Sequence, residues 1–512
     1  MSISNVCSWN ICSCIVRDEG GAVEPQRTYI CIDLKTFYAS VECVDRDLDP
    51  LEDTLVVADP ARGDKTICLA VSSAMKRLGV RNRCRVFEIP RDIPYVKAQP
   101  RMRRYMEVSV RIYGIYLEYV SAQDIHVYSV DECFIDATPY LRLYRMTARQ
   151  FARALMKEVR SRTGIPSAAG IGPNLFLAKV ALDITAKHAS DGIGVLDEES
   201  FRRQIWPHRP ITDIWGIGPG LARRLASYHV HDLMGVAALD EAILYRELGV
   251  RAEYLIDHAH GREPVTIAEI QAYRPSATSL MNGQVLNRDY TREEARTVLR
   301  EMVDGSVLEL VERGVAASGI SLFVGYGKNV PPAKNAPASC IDPAKHSAAD
   351  DTVLLDRQNP DGSTGGGVYR QIERELAGSG LTWGGAAALP GEHGRRIARG
   401  AWGHGGGQRK LKGRTNSFRK IWEAFDRLFE ETVEHGRAIK RMSIGFGDLV
   451  PEELVDIDLF TDLAAEEAEH HLAETVNAVK GRWGKNALLR GTSFKRGATG
   501  RERNEQVGGH HA

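Results

Sequence analysis

Three acidic residues in two separate segments have the clearest potential for chemistry in this sequence. Asp33 closes the apolar segment TYICIDL, and the adjacent pair Asp131 and Glu132 lies within IHVYSVDECFIDAT. Carboxylates from different elements can hold two divalent cations roughly 3.5–4 Å apart, which stabilises the attacking and leaving oxygens of phosphoryl transfer. An Asp-Glu pair at a turn is more often simply solvated, so the acids by themselves leave both interpretations open.

The segments around these acids predict the elements that position them. TYICIDL is rich in β-branched residues and predicts a buried strand, and KTFYASVECVDRDL follows as a helix because Phe37 and Val41 recur at helical spacing. IHVYSVDECFIDAT predicts two strands around an acidic turn, with Ser129 and Asp131 on one face. The helix FARALMKEVRSRTG, the strand SAAGIG and the helix NLFLAKVALDITAKH come next. The predicted fold class is therefore α/β, with the carboxylates on separate strands of one mixed layer.

Changes of pattern divide the 512 residues into several domains, as expected for a chain too long for one core. The predicted parts are a disordered N-terminal extension at 1–27, an α/β domain at 28–205 with a small insert at about 48–100, a helical domain at 206–265, a second α/β domain at 274–450 and a C-terminal tail at 451–512. Residues 329–413 are rich in Gly, Ala, Pro and Ser and predict a disordered insertion in the second α/β domain.

Composition narrows the possible partners and compartments. Lys and Arg number 67 and Asp and Glu also number 67, so a nucleic-acid surface must come from local segregation of charge. The basic stretch 395–420 is such a place, and for it a solvated disordered run and non-specific attraction to DNA stay equally open. The sequence has no apolar run of roughly 20 residues, no secretory signal and no C-x-x-C pair among its nine cysteines. We expect a cytoplasmic protein with reduced thiols, in which Cys7, Cys12 and Cys14 belong to the extension rather than to a metal site.

Four segments carry a family resemblance. IDLKTFYASVE, SVDECFID, AGIGPNLFLAK and WGIGPGLARRL, in that order, resemble the successive motifs of Y-family DNA polymerases. The resemblance runs from about Tyr29 to the C-terminus without the insertion, and it is closest to the UmuC-like branch of Gram-positive bacteria. It implies a multidomain α+β, right-hand polymerase with a palm at 28–205, small fingers at about 48–100, a helical thumb at 206–265 and a little finger at 274–450. The implied function is error-prone translesion synthesis in DNA repair and SOS mutagenesis, by a monomer that adds dNTPs to the primer of a damaged template.

The resemblance also implies the roles of the acidic residues. Asp33 and Asp131 would bridge both metal ions, Glu132 would complete the catalytic ion, and the carbonyl of Leu34 would ligate the nucleotide-bound ion. Hard oxygen ligands beside a triphosphate favour two Mg²⁺ ions, with Mn²⁺ as a substitute. In that mechanism the primer 3′-OH attacks the α-phosphate and pyrophosphate leaves.

Further positions match the family's contacts with the incoming nucleotide. The predicted nucleotide-binding residues are Phe37, Tyr38, Ser73, Lys76, Arg77 and Lys179. Tyr38 matches the steric gate, a ring that would collide with a ribose 2′-OH, and the alternative is a core aromatic. The cations match those that hold the triphosphate, with the choice between Lys76 and Arg77 open. Ser73 stands where many relatives carry a tyrosine, so we expect a different grip on the phosphates.

Two motifs predict macromolecular contacts. In the helix-hairpin-helix, Gly216 and Gly218 let backbone N–H groups approach phosphate oxygens, although a tight helix-helix turn also needs such glycines. A pentapeptide similar to the sliding-clamp binding motif consists of Asp456, Ile457, Asp458, Leu459 and Phe460. Asp456 replaces the favoured glutamine of that motif, which predicts weaker docking on the replication β clamp.

Two other functions remain alternatives at this point. A catalytically silent relative would only recruit other polymerases to the clamp, but the retained acids argue against it. A palm-fold nucleotidyl cyclase would share the strand-borne carboxylates, but it has no role for the helix-hairpin-helix or the clamp-like motif.

Overall fold

The structure is a computed structural model that describes residues 27–273, 278–327, 404–456, 462–507 and 510–511. The chain divides into two compact units, with the boundary between residues 274 and 275. Among the described residues, no helix combines the length and the apolar character needed to cross a membrane. The mixed α/β, multidomain class predicted from the sequence is confirmed.

The first unit is built on a five-stranded sheet. A smaller sheet of three strands is also present. The strands of the two sheets, in chain order, are β1 (Tyr29–Leu34), β2 (Leu55–Val57), β3 (Ala70–Val71), β4 (Val96–Ala98), β5 (Ile125–Val127), β6 (Glu132–Asp136), β7 (Ser167–Gly172) and β8 (Ile193–Val195). The large sheet has the order β5-β6-β1-β7-β8, and the small one, inside the predicted insert, has the order β3-β2-β4. The central strand β1 pairs with β6 and β7 and is buried on both faces, which explains why its segment is almost continuously apolar.

The described part of the first unit contains twelve helices. They are α1 (Phe37–Val44), α2 (Ser73–Arg77), α3 (Met102–Leu117), α4 (Thr138–Tyr144), α5 (Ala148–Thr163), α6 (Leu175–Asp183), α7 (Glu198–Gln204), α8 (Pro219–Ala226), α9 (Leu233–Ala238), α10 (Glu241–Leu248), α11 (Arg251–Ala259) and α12 (Ile267–Ala272). Helix α3 had no predicted counterpart, because the charged residues at its start hide an apolar face that buries Tyr105, Ile112 and Tyr116. Helix α6 is buried along almost its whole length against the central sheet, which fixes the side chains it carries.

The second unit is an antiparallel sheet of four long strands and a short fifth strand, with helices on one face. Its elements are β9 (Ser279–Tyr290), α13 (Arg292–Glu312), β10 (Val315–Tyr326), β11 (His404–Thr415), α14 (Phe418–Thr432), β12 (Ile439–Gly447), β13 (Val450–Pro451), α15 (Leu463–Trp483), α16 (Gly500–Asn504), β14 (Gln506–Val507) and β15 (His510–His511). The sheet order is β11-β10-β12-β9. The inner face of the sheet packs with α13 and α14 around side chains such as Leu299, Leu322 and Phe425.

The predicted end of the disordered insertion at residue 413 is wrong by about ten residues. The segment HGGGQRKLKGRT forms β11, which pairs with β10 from His404 opposite Gly325 to Thr415 opposite Ala317. Its glycines permit close approach, since Gly406 has φ +111° and a β-carbon there would lie 2.0 Å from the Leu322 carbonyl oxygen. Residues 329–403, the rest of the predicted insertion, lie outside the described residues.

Residues 462–504, here named the C-terminal strap, pack against α13. The Asn477 side chain donates to the Leu308 carbonyl at 2.9 Å, and the backbone amides of Thr499 and Gly500 donate to Glu301 Oε2 at 2.8 and 3.1 Å. Its helix α15 buries no residue fully, so these contacts are mainly polar. The predicted C-terminal tail at 451–512 is therefore in large part a docked element of the second unit.

Candidate active site

The register of two neighbouring strands brings the three predicted carboxylates together. Asp33, near the end of β1, lies directly opposite Glu132, the first residue of β6. The backbone amide of Leu34 donates to the Asp131 carbonyl at 2.8 Å, which fixes the turn before β6 against the end of β1. Acids about 100 positions apart in the sequence thus meet at one edge of the sheet, together with the Leu34 backbone.

Glu132 is buried and contacts a cation. Lys179 Nζ, on α6, lies 2.9 Å from Glu132 Oε1 and 2.9 Å from Asp183 Oδ1. Burial lowers the pKa of Lys179, but the carboxylates of Glu132 and Asp183 outweigh it and raise that pKa well above its ordinary value. The Cys31 thiol donates to Glu132 Oε1 at 3.0 Å from the neighbouring position on β1. Lys179, predicted to bind the triphosphate, is therefore engaged with carboxylates in this structure.

The other two acids differ in their surroundings. Burial, and then the charges of Asp131 and Glu132, raise the pKa of Asp33 well above its usual range. Ser129 Oγ donates to Asp131 Oδ1 at 2.6 Å and so orients that carboxylate. A concentration of negative charge that the protein only partly neutralises is the electrostatic condition for binding a cation.

The donor set fits hard divalent cations, although its side chains are not gathered around a common point. Within the described ranges, no three His, Cys, Asp or Glu side chains converge as in a formed metal centre. Glu132 faces Lys179 and Asp131 accepts from Ser129, so their orientation accounts for this spread. Carboxylate and carbonyl oxygens are nevertheless the ligands that Mg²⁺ and Mn²⁺ prefer. Asp33, Asp131, Glu132 and the Leu34 carbonyl are the groups that could hold such ions.

Tyr38 follows the acids on α1 and is almost fully buried. Its ring stacks on Tyr105 of α3, with centroids 4.5 Å apart and an interplanar angle of 16°. Tyr105 in turn donates from its hydroxyl to Glu42 Oε1 at 2.8 Å. The neighbouring Phe37 is also buried, and its ring centroid lies 5.9 Å from that of Tyr38. Both rings thus have core packing, which holds Tyr38 rigidly without deciding whether it also meets a sugar.

The two predicted cations of α2, Lys76 and Arg77, have different surroundings in the structure. Loss of surrounding water lowers the pKa of Lys76, with a further contribution from Lys187, while Asp33 and Asp131 raise it. Lys76 therefore lies within the field of the acids, whereas Arg77 pairs with Glu52 at 2.8 Å on the surface.

Lys187 is a functional candidate that the sequence analysis missed. It is exposed in the short 3₁₀ helix Thr185–His188, and its charge acts on Lys76. The second lysine of NLFLAKVALDITAKH was the available signal, but the motif match drew attention to Lys179 instead.

Ser73 lies at the start of α2 and is half-buried. Helix α2 is capped by its neighbour Ser72, whose Oγ accepts from the Met75 amide at 3.4 Å. The structure thus explains Ser72, while a nucleotide contact by Ser73 stays a prediction.

The two glycines of the helix-hairpin-helix are not equivalent. Gly216 has φ +87°, and a β-carbon there would lie 2.5 Å from the Tyr254 hydroxyl. Gly218 caps the N-terminus of α8, and a β-carbon there would meet nothing within 4 Å. Gly216 is needed for packing, whereas the Gly218 backbone is open to a ligand.

The basic stretch and the clamp-like motif lie only partly within the described residues. Residues 404–415 of this stretch form β11 and are therefore a strand rather than a disordered run. Lys410 and Lys412 both lie on its exposed face. Asp456 accepts from the Arg414 backbone at 2.7 Å and pairs with its guanidinium at 2.8 Å. The motif residues Ile457, Asp458, Leu459 and Phe460 lie outside the described residues.

Comparison with known proteins gives a consistent set of similarities. Residues 32–183 match the model of the impB/mucB/samB family. The chain is 31% identical over 308 residues to the Bacillus subtilis (strain 168) protein UvrX, whose name assigns it to UV-damage repair, and the alignment covers 60% of this chain and 72% of UvrX. It is 25% identical over 496 residues to DNA polymerase IV 2 of the same organism, covering 95% of this chain and 99% of that protein. Among solved structures, the Y-family DNA polymerase chimera Dbh-Dpo4(243-245)-Dbh is similar in fold, with a TM-score of 0.51, 16% identity, and coverage of 83% of this chain and 99% of that one.

Proposed function

This chain belongs to the Y family of DNA polymerases, and from this premise we propose that it extends a primer past damaged template bases by nucleotidyl transfer at the Asp33, Asp131 and Glu132 carboxylates. It is a DNA-directed DNA polymerase of the translesion type. The observation that supports this site most strongly is the register of β1 and β6, which sets Asp33 opposite Glu132 with Asp131 adjacent. The reaction joins a dNTP to the primer 3′-OH and releases pyrophosphate.

The carboxylates and the Leu34 carbonyl would hold the two divalent cations, Mg²⁺ or Mn²⁺. Bound there, such cations supply the charge that stabilises the attacking and leaving oxygens. Asp33 and Asp131 would each contribute a carboxylate to these cations, and the Ser129 hydroxyl keeps Asp131 in place. Lys179 favours the charged form of the Glu132 carboxylate and orients it, and this carboxylate would be the third acidic ligand of the cations.

Other residues act on the nucleotide and exclude the wrong sugar. Lys76 and Lys187 attract the triphosphate, because their positive charges act on each other and Lys76 lies within the field of Asp33 and Asp131, which puts two cations near the site. Tyr38, held by its stack on Tyr105, presents a fixed ring that opposes a 2′-OH. Ser73 at the start of α2 provides a hydroxyl for the phosphates and is the weakest of these contacts.

The DNA and protein partners are assigned to other segments of the chain. The open Gly218 backbone at the start of α8 contacts duplex phosphates, and Lys410 and Lys412 on β11 add non-specific attraction. The motif from Asp456 to Phe460 binds the replication clamp. The enzyme works as a monomer in the cytoplasm, in the SOS response to DNA damage.

The test is primer extension with Mg²⁺ by the Asp131→Asn variant. We expect incorporation to fall at least about 100-fold, because even the outer-shell partners of metal ligands contribute about 10–100-fold. Asp136→Asn is the matched control, since Asp136 is a buried carboxylate at the far end of β6, away from the proposed cations. Both variants should bind primer-template DNA like the wild type. Wild-type extension by the Asp131 variant would exclude this site.

A further inference from the structure

The part of the C-terminal strap from residue 480 concentrates positive charge in a chain that is neutral overall, whereas its acids Glu466, Glu467, Glu469 and Glu474 come earlier. Between residues 480 and 503 it has eight basic residues and one acid, Glu502. The basic residues are Lys480, Arg482, Lys485, Arg490, Lys495, Arg496, Arg501 and Arg503. An excess of seven positive charges within 24 residues is the kind of local segregation that attracts a polyanion.

Two aromatic side chains are exposed within this basic segment. The Trp483 side chain is 64% exposed and that of Phe494 is 66% exposed. Each has a guanidinium over its ring, since Arg482 lies 4.8 Å from the Trp483 centroid and Arg501 lies 5.2 Å from the Phe494 centroid. Exposed aromatic faces beside arginines are the features on which unstacked bases bind, because every base offers a π-face.

Different residues of the strap hold it on the second unit. Arg490 pairs with Asp304 and lies 4.3 Å from the Phe418 ring centroid. The Asn486 side chain donates to the Arg501 carbonyl at 3.1 Å, which ties the two aromatic segments together. The anchors face α13 and α14, so Lys495 and the two aromatic rings remain exposed on a fixed surface.

We propose that the C-terminal strap is a binding surface for single-stranded DNA. The aromatic faces favour this ligand over duplex DNA, whose bases are already stacked and whose grooves do not present base faces. The high positive charge favours it over an apolar protein partner. The strap packs against α13 on the helix side of the sheet, whereas Lys410 and Lys412 lie on the exposed sheet face, so this surface is distinct from the one proposed for duplex DNA. The proposal does not depend on nucleotidyl transfer, because binding is measured without nucleotide.

The charge contribution is tested with the full chain and a fluorescent dT20 oligonucleotide, by anisotropy over a series of salt concentrations. For Lys495→Ala/Arg496→Ala/Arg501→Ala we expect weaker binding and a salt dependence less steep by about 2, since each single-strand phosphate contact contributes about 0.7 to the slope. The matched control removes three exposed cations of the first unit, Arg142, Lys157 and Arg160, and should keep the wild-type slope. An equal loss in the control would overturn the proposal.

The stacking contribution is tested with Trp483→Ala/Phe494→Ala. We expect at least about a fivefold loss of dT20 affinity with an unchanged salt slope, because stacking does not release counterions. Thermal unfolding should be unchanged, since both rings are largely exposed. Wild-type affinity for dT20 in both strap variants, or a loss found only with a 20-base-pair duplex, would overturn the proposal.

Discussion

Lys179 and Lys187 have different environments, and we infer different roles for them. Lys179 is buried between Glu132 and Asp183, whereas Lys187 is exposed beside Lys76. The buried ion pair restrains Glu132, whereas the exposed Lys187 beside Lys76 is available to a phosphate. The motif around Lys179 identified the right helix, but it could not reveal which lysine the fold leaves exposed.

Replacing the two lysines should therefore have separable effects. For Lys187→Ala we expect kcat/KM for dNTP to fall about 10- to 100-fold with unchanged stability, because a charge-assisted contact contributes about 1.5–3 kcal/mol. For Lys179→Met we expect a loss of about 3–5 kcal/mol in the free energy of unfolding, because Glu132 is left buried and unpaired. Single-nucleotide kinetics and denaturant unfolding measure both, with Lys157→Ala as the exposed control. Normal dNTP kinetics in the Lys187 variant would contradict its role.

Tyr38 is a residue for which packing and function predict different outcomes. If its ring opposes a 2′-OH, Tyr38→Ala should raise the ratio of ribonucleotide to deoxyribonucleotide incorporation by about 10- to 200-fold, the discrimination that one added group allows. Tyr113→Ala is the control, because Tyr113 is equally buried, at 7% exposure, in α3. A merely structural Tyr38 would lower stability in the same way as Tyr113 and leave the sugar preference unchanged.

At the scale of elements, strands around the acids were predictable and β11 was not. TYICIDL and SAAGIG are apolar because β1 and β7 are buried within the sheet. In contrast, HGGGQRKLKGRT has no apolar alternation, because β11 is an edge strand whose lysines face solvent and whose glycines approach β10 closely. Its strand conformation depends on pairing with β10, and local sequence does not contain that information.

The helix-hairpin-helix gives a test that separates packing from binding within one turn. For Gly218→Ala we expect weaker binding of duplex DNA at unchanged stability, because the added methyl group points into open space where a phosphate would approach. For Gly216→Ala we expect a loss of about 1–3 kcal/mol in the free energy of unfolding. The backbone of Gly216 has a positive φ, and the added methyl group would clash with the Tyr254 side chain. Duplex affinity by anisotropy and thermal unfolding measure the two effects. Unchanged duplex binding by the Gly218 variant would remove that contact.

At the scale of the whole molecule, the sequence predicted the division near residue 274 but not the docking of the strap. A domain change was visible because the periodicity changes after Tyr273. The boundary between the two compact units lies between residues 274 and 275 of the sequence. Docking was not visible because Leu472, Val476 and Val479 form only a sparse apolar stripe on α15, and no residue of that helix is fully buried. Its contacts with α13 are hydrogen bonds and ion pairs, whose partners lie far away in the sequence.

Removal of the strap should therefore destabilise the second unit alone. Deleting residues 462–512 removes the contacts to Leu308, Asp304, Glu301 and Asn282. At about 0.5–1.5 kcal/mol for each hydrogen bond, we expect the free energy of unfolding of that unit to fall by about 2–6 kcal/mol. Denaturant unfolding measures this loss. Hydrogen exchange of the native protein should become faster in α13 and stay unchanged in β1 and β6, which belong to the first unit. Deleting only residues 508–512 is the control and should have no effect. If the long deletion leaves exchange in α13 unchanged, the strap does not stabilise the unit on which it packs.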